Sequence, residues 1–121
     1  MVGCGGSNAG KPASSISIEM SEFKFDPTSM IVFANQEVTL NLTNNGAVVH
    51  DFTILNKGTK AAVPFDKEKQ AADILVEFRV EPNKSGTYKF TLPEAGDYSV
   101  ICAVQGHMES GMVATMTAVN K

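Results

Sequence analysis

The stretch Tyr98-Ser-Val-Ile-Cys102-Ala-Val-Gln-Gly-His107-Met-Glu-Ser-Gly-Met112-Val-Ala-Thr-Met116 decides how this chain folds. On its N-terminal side Tyr98, Val100 and Cys102 share one face of an alternating pattern. On its C-terminal side Met112, Ala114, Met116 and then Ala118 do the same. A period of two is the mark of strands with one buried face, and Gly106 and Gly111 supply the tight turns of the loop between them. The loop region carries a thiol, an imidazole and a thioether at C-x4-H-x4-M spacing. Thiolate, imidazole and a weak axial thioether form the donor set of a blue copper site, whereas zinc prefers closed tetrahedral N/S ligation without a thioether.

Such a site needs a second imidazole, and the chain has one other histidine, His50. From Ala47 to Leu55 the even positions are Val48, His50, Phe52 and Ile54, so His50 shares the inward face of a predicted strand with apolar neighbours. Cys102, His50 and His107 form a roughly trigonal set, with Met112 as the weak fourth ligand. Taken singly, each has a bland reading: a small core cysteine, a core-filling methionine, a solvated loop histidine. Taken together, both histidines and the cysteine outside the leader fit one mononuclear copper site. A dinuclear copper centre would need a second cysteine in the loop, a multicopper enzyme further histidines, and a cysteine protease a third group orienting the Cys–His pair. The set points to a metal carrier and not to an enzyme.

Further outward, Val38, Leu40 and Leu42 alternate against Thr39, Asn41 and Thr43, and Ile74, Val76, Phe78, Val80 and Tyr88, Phe90, Leu92 repeat the pattern. Ile16, Ile18 and Met20 alternate too, but Phe23 and Phe25 are one step out of phase, which predicts a bulge or bend near Ser21-Glu22. Residues 56–73 break the pattern with Gly58, Pro64 and a helix-compatible run from Phe65 to Ala72, predicting a surface excursion with a short helix. Seven to eight short strands with frequent turns predict an all-β antiparallel sandwich or barrel.

At 121 residues, 43% hydrophobic, 19% charged and with a net charge of -3, the chain suits one domain, here 16–121, behind a flexible leader, 1–15. Nothing resembles a basic nucleic-acid face, and no apolar run is long enough to span a bilayer as a helix. Cys4, in the Gly/Ser-rich leader, is not expected to pair with Cys102. Val2-Gly3-Cys4-Gly5 resembles the processing point of a bacterial lipoprotein, with Met1 in place of the signal segment and Gly5 to Ser15 as a tether; the alternative is an arbitrary flexible N-terminus. The expected setting is extracytoplasmic, periplasmic or on the outer face of the cytoplasmic membrane, with a membrane contact only through a lipid anchor at Cys4.

Over roughly Ile16 to Asn120 the chain resembles the cupredoxins, small type 1 blue copper proteins. The motifs that carry the resemblance are Val49-His50-Asp51-Phe52 and the Cys102–Met112 loop, which is longer than in plastocyanins and similar to those of the auracyanin and rusticyanin types, auracyanin most of all. The resemblance implies a Greek-key sandwich, a copper ion cycling between Cu(I) and Cu(II), and electron transfer between membrane redox complexes. The alternative is a periplasmic copper chaperone or sensor, since six methionines and a thiolate also suit Cu(I). Three departures stand out. Asp51 replaces the frequent Asn after the first histidine, Ala103 replaces Thr or Ser after the cysteine, and Gln105 stands where a proline is frequent; the first two are expected to thin the support around the ligands. Redox proteins are expected to dock on a monomer near His107, over Ala47, Val48, Val49, Met108 and Pro64, with modest steering from 66–70.

Overall fold

The computed structural model describes residues 11–61, 65–104 and 106–121. Two sheets face each other across the core. The first has the order β2 (Lys24–Asp26), β1 (Ser15–Ser21), β4 (Glu37–Asn44), β7 (Ser85–Thr91). The second has the order β3 (Ser29–Phe33), β9 (Val113–Val119), β8 (Gly96–Ile101), β5 (His50–Leu55), β6 (Ile74–Val80). Inward positions read from the alternation are where expected: Ile16, Ile18, Met20, Leu40, Leu42, Phe52, Ile54, Tyr98, Val100 and Met116 are at most 2% exposed. Each large apolar side chain buried in this way contributes roughly 1.5–3 kcal/mol. No helix among the described residues is long and apolar enough to cross a membrane.

Four expectations change. The described residues form nine strands, and the sheets are mixed, because β1 runs parallel to β4 and β3 parallel to β9. The chain leaves the first sheet after β2 and enters the second as β3, so these neighbours are joined by crossovers, which leaves them free to be parallel. Among its described residues the excursion holds no α-helix, only a single 3-10 turn at Ala71–Asp73. Asp66 caps turns with its Oδ1 accepting from Glu68 N–H (2.9 Å) and Lys69 N–H (3.2 Å), and so short a segment does not repay helix nucleation.

The phase slip at Ser21-Glu22 is a hairpin and not a bulge. β1 and β2 pair up to Ser21–Lys24, leaving Glu22-Phe23 as a two-residue turn with Phe23 at φ 63°. Phe25 returns to the core at 2% exposure, while Phe23 stays 42% exposed at the end of the sandwich.

The excursion also changes β5. Every residue from His50 to Leu55 is buried, on both faces. The outer face is covered by a second apolar cluster of Leu55, Phe65, Ile101, Ala103 and Met108, against which Ala61 and Ile74 pack. Asp51 and Thr53 are thereby 0% exposed.

Candidate metal centre

The β5–β8 ladder consists of Thr53–Ile101 and Ile54–Val100, and it stops where the site begins. Beyond it, the Asp51 amide donates to Cys102 Sγ at 3.4 Å in place of a carbonyl on the neighbouring strand. Cys102 follows β8 directly and Met112 precedes β9, with the Cys102 amide donating to the Met112 carbonyl at 3.2 Å. Between them the backbone closes a series of tight turns: His107 N–H to Val104 O (3.0 Å), Gly111 N–H to Met108 O (3.0 Å), Met112 N–H to His107 O (3.1 Å). Gly106 at φ 85° and Gly111 at φ 107° occupy the left-handed region that disfavours side chains.

This geometry gathers His50, Cys102 and His107, all buried, into one cluster. The two Nδ1 atoms are 3.2 Å apart, and Sγ lies 3.4 Å from His107 Nδ1 and 4.0 Å from His50 Nδ1. A triangle with these edges has a centre about 2.1 Å from all three donors, close to the bond lengths of first-row metals to imidazole and thiolate. The donor set therefore fits a single ion. Met112 is 0% exposed and its backbone is tied to both Cys102 and His107, so the loop begins and ends at the cluster.

Electrostatics bear on how the cluster takes up a metal. Burial, followed by the nearby Asp51 carboxyl, pushes the Cys102 thiol up to about 11, so the metal-free protein carries a thiol at neutral pH. Burial, followed by the neighbouring His50, lowers the pKa of His107, which favours the neutral ring that a metal requires. Cys102 is a free cysteine, and Cys4 lies outside the described residues.

The surrounding groups are richer than Asp51 and Ala103 suggested. Asp51 Oδ1 accepts from the Ala103 amide at 2.7 Å and from the Thr53 hydroxyl at 2.6 Å. The carboxyl thus straps β5 to the ligand loop, and Ala103 contributes through its backbone, which needs no hydroxyl. Asp51 Oδ2 is buried and has no hydrogen-bond partner among the described residues, and desolvation raises the carboxyl pKa above its ordinary value.

Sequence reading missed two residues. Glu22 Oε1 lies 3.0 Å from His50 Nε2 and also accepts from the Ala47 amide at 3.0 Å. These two hydrogen bonds, His50 first, hold its pKa below the usual value. The Phe23 and His107 rings meet in a T-shape, with centroids 5.2 Å apart. Reading Glu22-Phe23 as a two-residue hairpin turn would have been the signal, because that turn brings both side chains to the ligand end. Met108, expected on the outer surface by His107, is only 7% exposed and packs in the outer cluster with Phe65. Pro64 and Gln105 lie outside the described residues.

Comparison with known proteins agrees with the geometry. Residues 1–114 match the cupredoxin-like domain family. The chain is 32% identical to auracyanin-A from Chloroflexus aurantiacus, over 84% of this chain and 71% of the relative. It superposes on dithionite-reduced auracyanin from Roseiflexus castenholzii with a TM-score of 0.78 at 24% identity, covering 90% of this chain and 99% of the other. The structure of auracyanin A, described as a "blue" copper protein from green thermophilic Chloroflexus aurantiacus, gives a TM-score of 0.65 at 27% identity, over 86% and 98% of the two chains. The copper cofactor read from the loop spacing is thus in keeping with the relatives and with the donor triangle. By fold, family match and likeness to auracyanin, this chain belongs to the cupredoxin-like domain family.

Proposed function

We propose that the protein is a one-electron carrier in which His50, Cys102 and His107, with the Met112 thioether as a weaker fourth ligand, would hold a single type 1 copper. The observation that carries the reading is the donor triangle, whose three atoms lie 3.2 to 4.0 Å from one another. Bound copper would supply the Cu(II)/Cu(I) couple. Everything else falls to the chain. Cys102 and His50, both 0% exposed, exclude water from the donor cluster and leave their side chains little room to rearrange, which favours rapid electron exchange. The same enclosure favours a carrier over a copper chaperone, which must pass its metal on through ligands an acceptor can reach.

His107, 8% exposed, is the route to the surface. Phe23 (42% exposed), packed against His107, together with Val48 (43% exposed) and Ala47 on the segment that leads into His50, would offer a small apolar face suited to brief redox encounters. Redox proteins serving membrane complexes are the partners we assign to it. The extracytoplasmic setting, and a lipid anchor at Cys4, rest on the Gly3-Cys4-Gly5 leader.

Titration with Cu(II) tests the assignment. The expected result is an intense visible thiolate-to-copper band at one equivalent, with reversible one-electron reduction, and loss of the band in Cys102→Ser. A colourless protein that binds copper stoichiometrically would sink the blue-copper reading. Transfer of the metal to an acceptor in place of reversible reduction would favour copper handling.

A further inference from the structure

The Glu22 carboxylate stands on the far side of the His50 ring from the donor triangle. Its Oε1 is 3.0 Å from His50 Nε2, while His50 Nδ1 is 3.2 Å from His107 Nδ1. One nitrogen is therefore committed to the carboxylate and the other is turned into the cluster. A carboxylate only accepts hydrogen bonds, so the proton belongs on Nε2 and the lone pair on Nδ1, the tautomer a metal at the triangle needs.

Several features hold Glu22 in place. The Ala47 amide donates to both carboxylate oxygens, at 3.0 and 3.2 Å, tying the β1–β2 turn to the segment before β5. Gly46 leaves room for it, since a Cβ there would run into Glu22 Oε1 and come within 2.9 Å of His50 Nε2. Asn44 Oδ1 accepts the Gly46 amide at 2.8 Å, and its Nδ2 donates to Val48 O (3.0 Å) and Val80 O (2.9 Å), fixing that segment against β6.

We propose that Glu22 is the positioning residue for His50, setting its tautomer and ring orientation, and that its negative charge, one imidazole away from the copper, stabilises Cu(II) over Cu(I). The inference rests on the copper reading above and extends it to a residue outside the ligand set. Carboxylates behind metal-bound histidines raise ligand basicity, and their removal typically changes metal affinity by 10- to 100-fold. Because the charge acts mainly on the oxidised ion, the effect falls on the ratio of Cu(II) to Cu(I) affinity and so on the midpoint potential.

The test pairs a metal-free and a copper-loaded measurement on wild type, Glu22→Gln and Glu22→Ala. Imidazole 15N NMR of the metal-free proteins should show His50 as one Nε2–H tautomer in wild type and Glu22→Gln, whose amide oxygen still accepts, and as a mixture in Glu22→Ala. Voltammetry of the copper forms should show the potential rising in Glu22→Gln while the blue band is kept. The expected change is about a tenfold fall in the Cu(II)/Cu(I) affinity ratio, or 59 mV for a one-electron couple. A single unaltered tautomer in Glu22→Ala overturns the positioning role, and a wild-type potential in Glu22→Gln overturns the electrostatic one. The NMR measurement needs no copper, so the two failures are distinguishable. If the copper reading fails, wild type is colourless; if this inference fails, the variants are blue with His50 or the potential unchanged.

Discussion

His50 opens a strand and His107 sits in a loop, and the surroundings of the two rings differ accordingly. His50 is 0% exposed, its distal nitrogen fixed by Glu22 and its backbone paired with Val80 on β6. His107 is held by the loop's turns and by a T-shaped contact with Phe23, an exposed side chain. The strand-borne half of the site is tied down by hydrogen bonds, and the loop-borne half by turn geometry and apolar contact. Asp51 joins the halves, since its carboxyl starts on β5 and ends on the Ala103 amide next to Cys102. Rigidity at one histidine and access at the other suit a centre that must keep its geometry while exchanging electrons with the outside.

The largest test of that division is to cut the joint. Asp51→Ala leaves the buried Ala103 amide without its acceptor and the Thr53 hydroxyl with only the longer contact to Glu77 Oε2 at 3.4 Å, which should cost the metal-free protein about 1–3 kcal/mol in denaturant unfolding. Asp51→Asn keeps an acceptor oxygen for the Ala103 amide and should lose much less. Equal losses in the two variants would mean that the strap contributes little.

Copper uptake sharpens the comparison next, because the halves differ in the protons they must give up. With the Cys102 thiol pushed up to about 11, metal binding at pH 7 should release one proton from the loop half, read as buffer-dependent heat in calorimetry. Cys102→Ser should abolish that release together with the visible band.

The pH dependence of the metal-free protein is a smaller effect. Asp51 has a folded-state pKa raised by burial above 3.8, so its proton is bound more tightly in the folded state than in the unfolded one. The stability this gives is complete below about the unfolded value and is lost as pH rises through the folded one. Cys102 behaves alike at higher pH, its contribution fading from 9.0 toward about 11. Asp51→Asn should flatten the acidic limb of the unfolding profile and, by removing the second cause of the Cys102 shift, weaken the alkaline limb without abolishing it, since burial of the thiol remains.

The smallest structural effect is expected at the exposed ring beside His107. Phe23→Asp should slow electron exchange with a redox partner while keeping colour and fold, and Val49 replaced by a charged residue should act in the same direction. If both variants react at the wild-type rate, the docking face is elsewhere. Met108 is the contrasting site: buried under the excursion, it should affect stability when replaced by a charge, before it affects docking.

Much of this was legible in the chain because it depends on local pattern. Alternation located β4, β5, β8 and β9 with the right faces inward, since a strand's side chains repeat every two residues whatever it packs against. Two histidines, one cysteine outside the leader and the C-x4-H-x4-M spacing were enough to name the donor cluster. Parallel pairing of β1 with β4 was not legible, because alternation has the same period in either direction. The outer face of β5 was not legible either. Alternation says nothing of what covers Asp51 and Thr53, which are buried beneath the cluster of Leu55, Phe65, Ile101, Ala103 and Met108.

The sequence by itself therefore determined most of the strands, their inward faces and the residues, His50, Cys102 and His107, that come together as a candidate metal cluster, all properties of residue type and short-range spacing. Only the tertiary structure decided what supports those donors. Glu22 reaches His50 across 28 positions, and Asp51 reaches Ala103 across 52. Contacts that distant arise from the way two sheets and a two-residue hairpin meet at one end of the sandwich, and no local periodicity encodes that meeting.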